Sequence, residues 1–190
     1  MRIKQRICGL LLVLPLYGFA QANNADLIDG YTTQQIADIL PRTIDGLQRR
    51  TVEVVSDYHT FQVEYVDPAT QRKALVTLYT LPADAKGNIP VASSDRDLDA
   101  VVASAEKEML RQRIKPEMKE LAAAGAPKFR CLQTVMNEKV VHQVCSTLFK
   151  GRVLEIQPVT MVNDKAYEPA MKRGEELVVS FGKIMSEAAK

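Results

Sequence analysis

The chain has no tryptophan, two histidines and three cysteines in its 190 residues, and each shortage removes a class of chemistry. His59 and His142 have no second ligand at a helical or zinc-finger spacing, and the sequence holds neither an H-E-x-x-H motif nor a paired-cysteine cluster, so no metal centre is expected. A G-x-S-x-G elbow is absent too. Gly182-Lys183 lacks both the upstream glycine and the following Ser or Thr of a phosphate-cradling loop. No cofactor is expected on these grounds. Long apolar runs are also missing: after residue 22 nothing approaches the roughly 20 residues that a bilayer span requires.

What the N-terminus does have is the pattern of an export signal. Arg2, Lys4 and Arg6 give a basic start, Ile7 to Phe19 is apolar with a break at Pro15, and Ala20-Gln21-Ala22 fits the small-x-small cleavage rule. Cleavage after Ala22 is expected, followed by a loose tether over residues 23–31 and a single domain over 32–190. No cysteine stands at the cleavage point to take a lipid, and Arg2 and Arg6 are not a twin-arginine pair, so the expected location is the periplasm, with neither a lipid anchor nor a membrane span. The signal carries three of the 25 basic residues and none of the 23 acidic ones, so its removal leaves 22 against 23, a charge of −1. With no basic stripe interleaved with aromatics, nucleic-acid binding is not expected.

Of the three cysteines only Cys131 and Cys145 survive that cleavage, an even number in an oxidising compartment, and they are expected to form a structural disulfide. The register around them is specific. A three-residue loop at Asn137-Glu138-Lys139 closes on Met136 and Val140 and sets Cys131 opposite Cys145. A second hairpin at Lys150-Gly151 pairs Phe149 with Arg152, and so Cys145 with Ile156. Phe129, Cys131, Val135, Val141, Cys145, Phe149, Leu154 and Ile156 then share one face, the expected core face.

Elsewhere the periodicities alternate. Thr32 and Gln35 stand at capping-box spacing before a short helix that Pro41 ends. Val52 and Val54, then Phe61, Val63 and Tyr65, alternate with polar residues as two strands joined through Ser56 to His59, with His59 read as a surface residue of that turn. Asp67-Pro68-Ala69-Thr70 is a type I turn into Lys73 to Leu81, apolar on both faces and so expected to be central. Ser94 and Asp97 cap a helix striped by Leu98, Val101, Val102, Ala105 and Met109, which Pro116 interrupts; Glu117 to Ala124 reads as a second helical piece ending at Gly125. A terminal helix is striped by Tyr167, Met171, Gly174, Val178, Phe181 and Met185.

The expected fold is therefore α+β: an antiparallel sheet of about six strands in two meanders, in the order β-β-β-α-β-β-β-α behind a short helix, with helices packed on it as a sandwich. That element order resembles PsbP-like sandwich domains, which implies a fold and nothing about function.

The face opposite the core face mixes Leu132, Met136, Val140, Val144 and Leu148 with Arg130, Thr134, His142, Ser146, Glu155 and Gln157. Arg130, Ser146 and Glu155 fall in one cross-strand row, and Thr134 and His142 in another. It reads as a half-apolar platform with a few directional polar groups, the candidate binding face, or else as solvated sheet with an exposed Arg-Glu pair, or as a layer covered by a helix. The expected function is a non-catalytic binding or protein-interaction module for an unidentified periplasmic protein or small ligand. The alternatives are an inhibitor or immunity-type protein presenting the acidic stretch Asp84 to Asp99, and a small exported enzyme using carboxylates.

Overall fold

The computed structural model describes residues 26–190; the expected signal and cleavage site, and residues 23–25 of the expected tether, lie outside them. Among the described residues three α-helices and eight strands follow one another as α1 (Thr33–Ile39), β1 (Thr43–Ile44), β2 (Leu47–Val55), β3 (Thr60–Asp67), β4 (Arg72–Tyr79), α2 (Asp95–Arg111), β5 (Glu117–Leu121), β6 (Phe129–Met136), β7 (Val140–Phe149), β8 (Arg152–Met161) and α3 (Tyr167–Ala188). All the strands join one antiparallel sheet, ordered β1-β2-β3-β4-β8-β7-β6-β5. Two meanders thus lie side by side, and their seam is the β4–β8 pairing, where Val76 opposes Ile156 and Tyr79 opposes Val153.

The helices divide between the two faces. Ile36, Ala37 and Leu40 of the α1 segment and Leu177, Val178, Phe181 and Met185 of α3 join a core with Phe61, Val63, Tyr65, Ala74, Val76, Leu78, Phe129, Cys131 and Ile156. Each Val, Leu, Ile, Phe or Met side chain among them stabilises by about 1.5–3 kcal/mol when removed from water. Phe181 meets the Tyr65 ring edge-on at 5.1 Å. Two glycines let α3 come close: a Cβ on Gly182 would stand 2.7 Å from the Phe129 ring, and one on Gly174 would overlap Gln143. On the other face α2 lays Leu98 and Val102 on Leu132, flanked by Val144 and Leu148.

Where local signals were strong the chain obeys them. Both expected capping boxes form, Thr32 with Gln35 on α1 and Ser94 with Asp97 on α2. Met136 opposes Val140 and Cys131 opposes Cys145, the latter at disulfide distance (S–S 2.09 Å). Lys150 and Gly151 take φ of 47° and 71°, the doubly positive combination of a type I′ turn, and Phe149 opposes Arg152 beyond it.

The strand count of six is corrected to eight, and the PsbP-like order falls with it. β1 is only two residues long and carries no pattern of its own. β5 replaces the helical piece expected at Glu117 to Ala124. Its residues are good helix formers, but Pro116 biases the residue before it away from helix, and pairing of Glu117–Leu121 with Gln133–Phe129 outweighs a propensity of a few tenths of a kcal/mol per residue. In β2 a bulge between Arg49 and Val52 shifts the register, and Val52 is left exposed rather than facing the core.

Candidate functional site

The expected binding face is split by α2. The helix covers Leu132, Val144 and Leu148, and Asp99 on it forms an ion pair with Arg130. Arg130 does share a row with Ser146 and Glu155, as the register required, but its guanidinium is turned to α2 instead of towards Glu155. The exposed Arg-Glu pair is therefore absent, and the helix-covered reading holds for this half. Thr134 stands opposite His142 and is buried.

The remaining four polar residues are brought together beyond the helix. Gln157 Nε2 donates to Glu155 Oε1 at 2.6 Å, and Ser146 Oγ donates to Glu155 Oε2 at 3.4 Å. His142 Nε2 lies 3.2 Å from Gln157 Oε1. Because that oxygen only accepts, the imidazole donates from Nε2. Tyr79, not among the residues expected from the sequence, completes the group: its hydroxyl donates to Glu155 Oε2 at 3.2 Å from β4, two residue pairs along the seam. Burial, and then the charge and hydrogen bond of Glu155, push the Tyr79 phenol above its ordinary value, so it stays a neutral donor. No basic side chain of the described residues lies within ion-pair distance of Glu155.

Tyr79 also forms one wall of a cleft of about 440 Å³ between the end of β4 and α2, with Leu81 and Pro82 beside it and Ala100, Val101, Ser104, Ala105 and Glu108 across from it. Its side chains are apolar except for Ser104, Glu108 and the Tyr79 hydroxyl. Glu108 is engaged by Arg111 and Gln112 at 2.9 and 2.8 Å. The cleft needs β4 and α2 to meet, a contact between segments about 20 residues apart that no spacing motif announces.

A second polar group was missed altogether. Arg152 is fully buried on the core face, and its guanidinium donates to the carbonyls of Asp26 (2.9 Å), Tyr31 (3.1 Å), Ile28 (3.2 Å) and Lys150 (3.3 Å), while Nε has no partner. Burial pulls its pKa down against the attraction of Asp26 and Asp29. Asp26 in turn accepts from the Thr33 amide and hydroxyl at 2.8 and 2.6 Å and lies 2.9 Å from His59 Nδ1. His59 is therefore buried and not the surface residue expected; a left-handed backbone at φ 52° turns it inward. Residues 26–31 of the expected tether are bonded to the domain by this cluster. The signal was available: Arg152 lies two residues before Leu154, on the same face of the strand, so a charge on the core face had to find partners.

The acidic stretch expected of an inhibitor uses three of its four carboxylates internally. Asp84 accepts from the Lys86 and Asn88 amides at 2.8 and 2.9 Å, Asp97 caps α2, and Asp99 holds Arg130. Among the described residues no group of three or more His, Cys, Asp or Glu side chains is placed to hold a metal ion, and no helix is long and apolar enough to cross a membrane.

No family model matches the chain, and no curated protein matches it. A solved structure found by similarity, the crystal structure of the di-domain ARO/CYC StfQ from the steffimycin biosynthetic pathway, is 9% identical over 75% of this chain and 86% of that one, with a TM-score of 0.14. A likeness at that level carries no argument about fold or function, and PsbP-like proteins gain no support from it.

Proposed function

We propose that this chain is an exported, non-catalytic binding module that takes a small, largely apolar ligand into the cleft between α2 and β4. The Tyr79 hydroxyl, itself oriented by its hydrogen bond to Glu155, holds the ligand's polar end. The observation that carries the reading is the composition of the cleft: a space of about 440 Å³ with predominantly apolar side chains, opening beside an ordered polar group built on rigid strands. Export rests on the pattern of residues 1–22, and the cysteine pair at disulfide distance is compatible with an oxidising compartment.

N-phenyl-1-naphthylamine, a neutral apolar fluorophore, tests the cleft directly. Its emission should rise on mixing with the protein, and Val101→Arg, which sets a charge on the cleft wall, should abolish the rise while the protein stays folded by circular dichroism. No rise, or an equal rise with the variant, sinks the proposal. Sequencing the N-terminus of protein recovered from the periplasmic fraction tests the export step separately.

A further inference from the structure

The two ends of the sheet differ in how they meet solvent. At one end β1 covers the start of β2, and the bulge after Arg49 twists the rest, two devices that protect a sheet edge. At the other end β5 is regular, with five successive residues paired to β6 without a shift. Among the described residues no strand lies on its outer side in the sheet order. Alternate N–H and C=O groups along that side are therefore held in strand geometry, ready to pair.

A groove runs beside this edge. Two cavities, of about 450 and 680 Å³, lie between β5 and α3 and share Lys172 and Glu175. The α3 residues that line them run from Glu168 to Lys183 at helical spacing, a stripe of roughly 22 Å at 1.5 Å per residue. Leu121 and Val179 line one cavity, and Met118 and Met171 the other. Side chains on one face of an added strand would recur about every 7 Å, within the length of such a groove.

Charge selects the occupant. The groove carries five glutamates, at 117, 120, 168, 175 and 176, against three lysines, at 119, 172 and 183. Lys119 is the residue that would ordinarily guard the edge, but it is bound to Glu175 at 2.6 Å and so is neutralised within the fold. Glu120 is held by Lys128. Glu117, Glu168 and Glu176 are in none of the ion pairs of the described residues, and neither are Lys172 and Lys183, so the unpaired charge of the groove is acidic by one.

We infer that β5 is an acceptor strand for an extended basic peptide, which adds to the sheet edge as a ninth strand and sends alternate side chains into the groove beside α3. Main-chain pairing supplies affinity and the acidic groove supplies selectivity. The site is separate from the α2 cleft and does not depend on it.

A phage-displayed library of random decapeptides, selected on the purified protein, is the test. Enriched peptides should carry Lys or Arg at alternate positions, and bound peptide should slow amide hydrogen exchange in Glu117–Leu121. Glu117→Lys with Glu176→Lys should weaken binding about tenfold or more. Proline at Met118 or at Lys119 should abolish binding at whichever position has the outward amide, with the melting temperature kept. No enrichment, full affinity for the charge-reversed variant, or protection appearing at the α2 cleft instead overturns the proposal. So does a concentration-dependent dimer that protects β5 without peptide, since the edge would then belong to a second copy.

Discussion

The two faces of strands β6 to β8 come from the same thirty-odd residues and differ sharply in how they are covered. On one, Phe129, Cys131, Cys145, Leu154 and Ile156 are sealed under α3 with almost no exposure. On the other, α2 buries Leu132 beneath Leu98 and Val102, while Val144 and Leu148 are only partly covered. The first face has two glycines on α3 that bring helix and sheet together, and a cysteine pair across its strands. The second has one ion pair and a small apolar patch. One face carries most of the buried core, and the lighter cover of the other leaves a cleft beside α2.

Substitutions on each side should separate the two. Phe129→Ala on the sealed face should cost the most, about 3–5 kcal/mol in urea unfolding, because the void under Gly182 cannot collapse. Cys131→Ser should lower stability by about 3 kcal/mol, the loop-closure value for about 15 residues, and wild-type protein under reducing conditions should melt at a correspondingly lower temperature. An unchanged melt would show that the pair is not bonded.

Alkaline titration probes the faces through their tyrosines. Burial pushes Tyr65 from 10.0 up to about 12, against a smaller lowering effect from Arg49. A folded-state value above the unfolded one means that the contribution is complete below pH 10 and lost as pH rises towards 12. Unfolding free energy should therefore fall across that window, and Tyr65→Phe should flatten the fall.

Leu132→Ala, under α2, should cost about 2 kcal/mol, near the lower bound for such truncations, because a helix held by one small cluster can settle into the space. A cost equal to that of Phe129→Ala would erase the contrast between the faces. Asp99→Asn should cost least, under about 1 kcal/mol, since Asp99 is largely exposed.

Much of this arrangement was legible in the sequence, for a physical reason. Hairpin register is local: once Asn137 to Lys139 and Lys150-Gly151 are turns, every pairing from Phe129 to Ile156 follows from strand geometry. Capping boxes are local in the same way. β5 was not legible, because EMKEL favours helix and becomes a strand only through β6. The cleft was hidden for the related reason that it joins β4 to α2, and its one link to Glu155 is the Tyr79 hydroxyl across the β4–β8 seam. The Arg152 cluster differs from both. Strand parity already placed a guanidinium inside, but its partners, the carbonyls of residues 26–31, have no sequence signature.

The seam between the meanders also sets an order of events in time. β4 pairs with β8, roughly 80 residues further along the chain, whereas every other strand pairing of the described residues joins consecutive strands. A chain made from its N-terminus completes β2, β3 and β4 long before residue 161 appears. Until then Ala74, Val76 and Leu78 line an unpaired edge beside an uncovered apolar face. That interval is when the nascent protein is most exposed to aggregation and when a chaperone would be needed most.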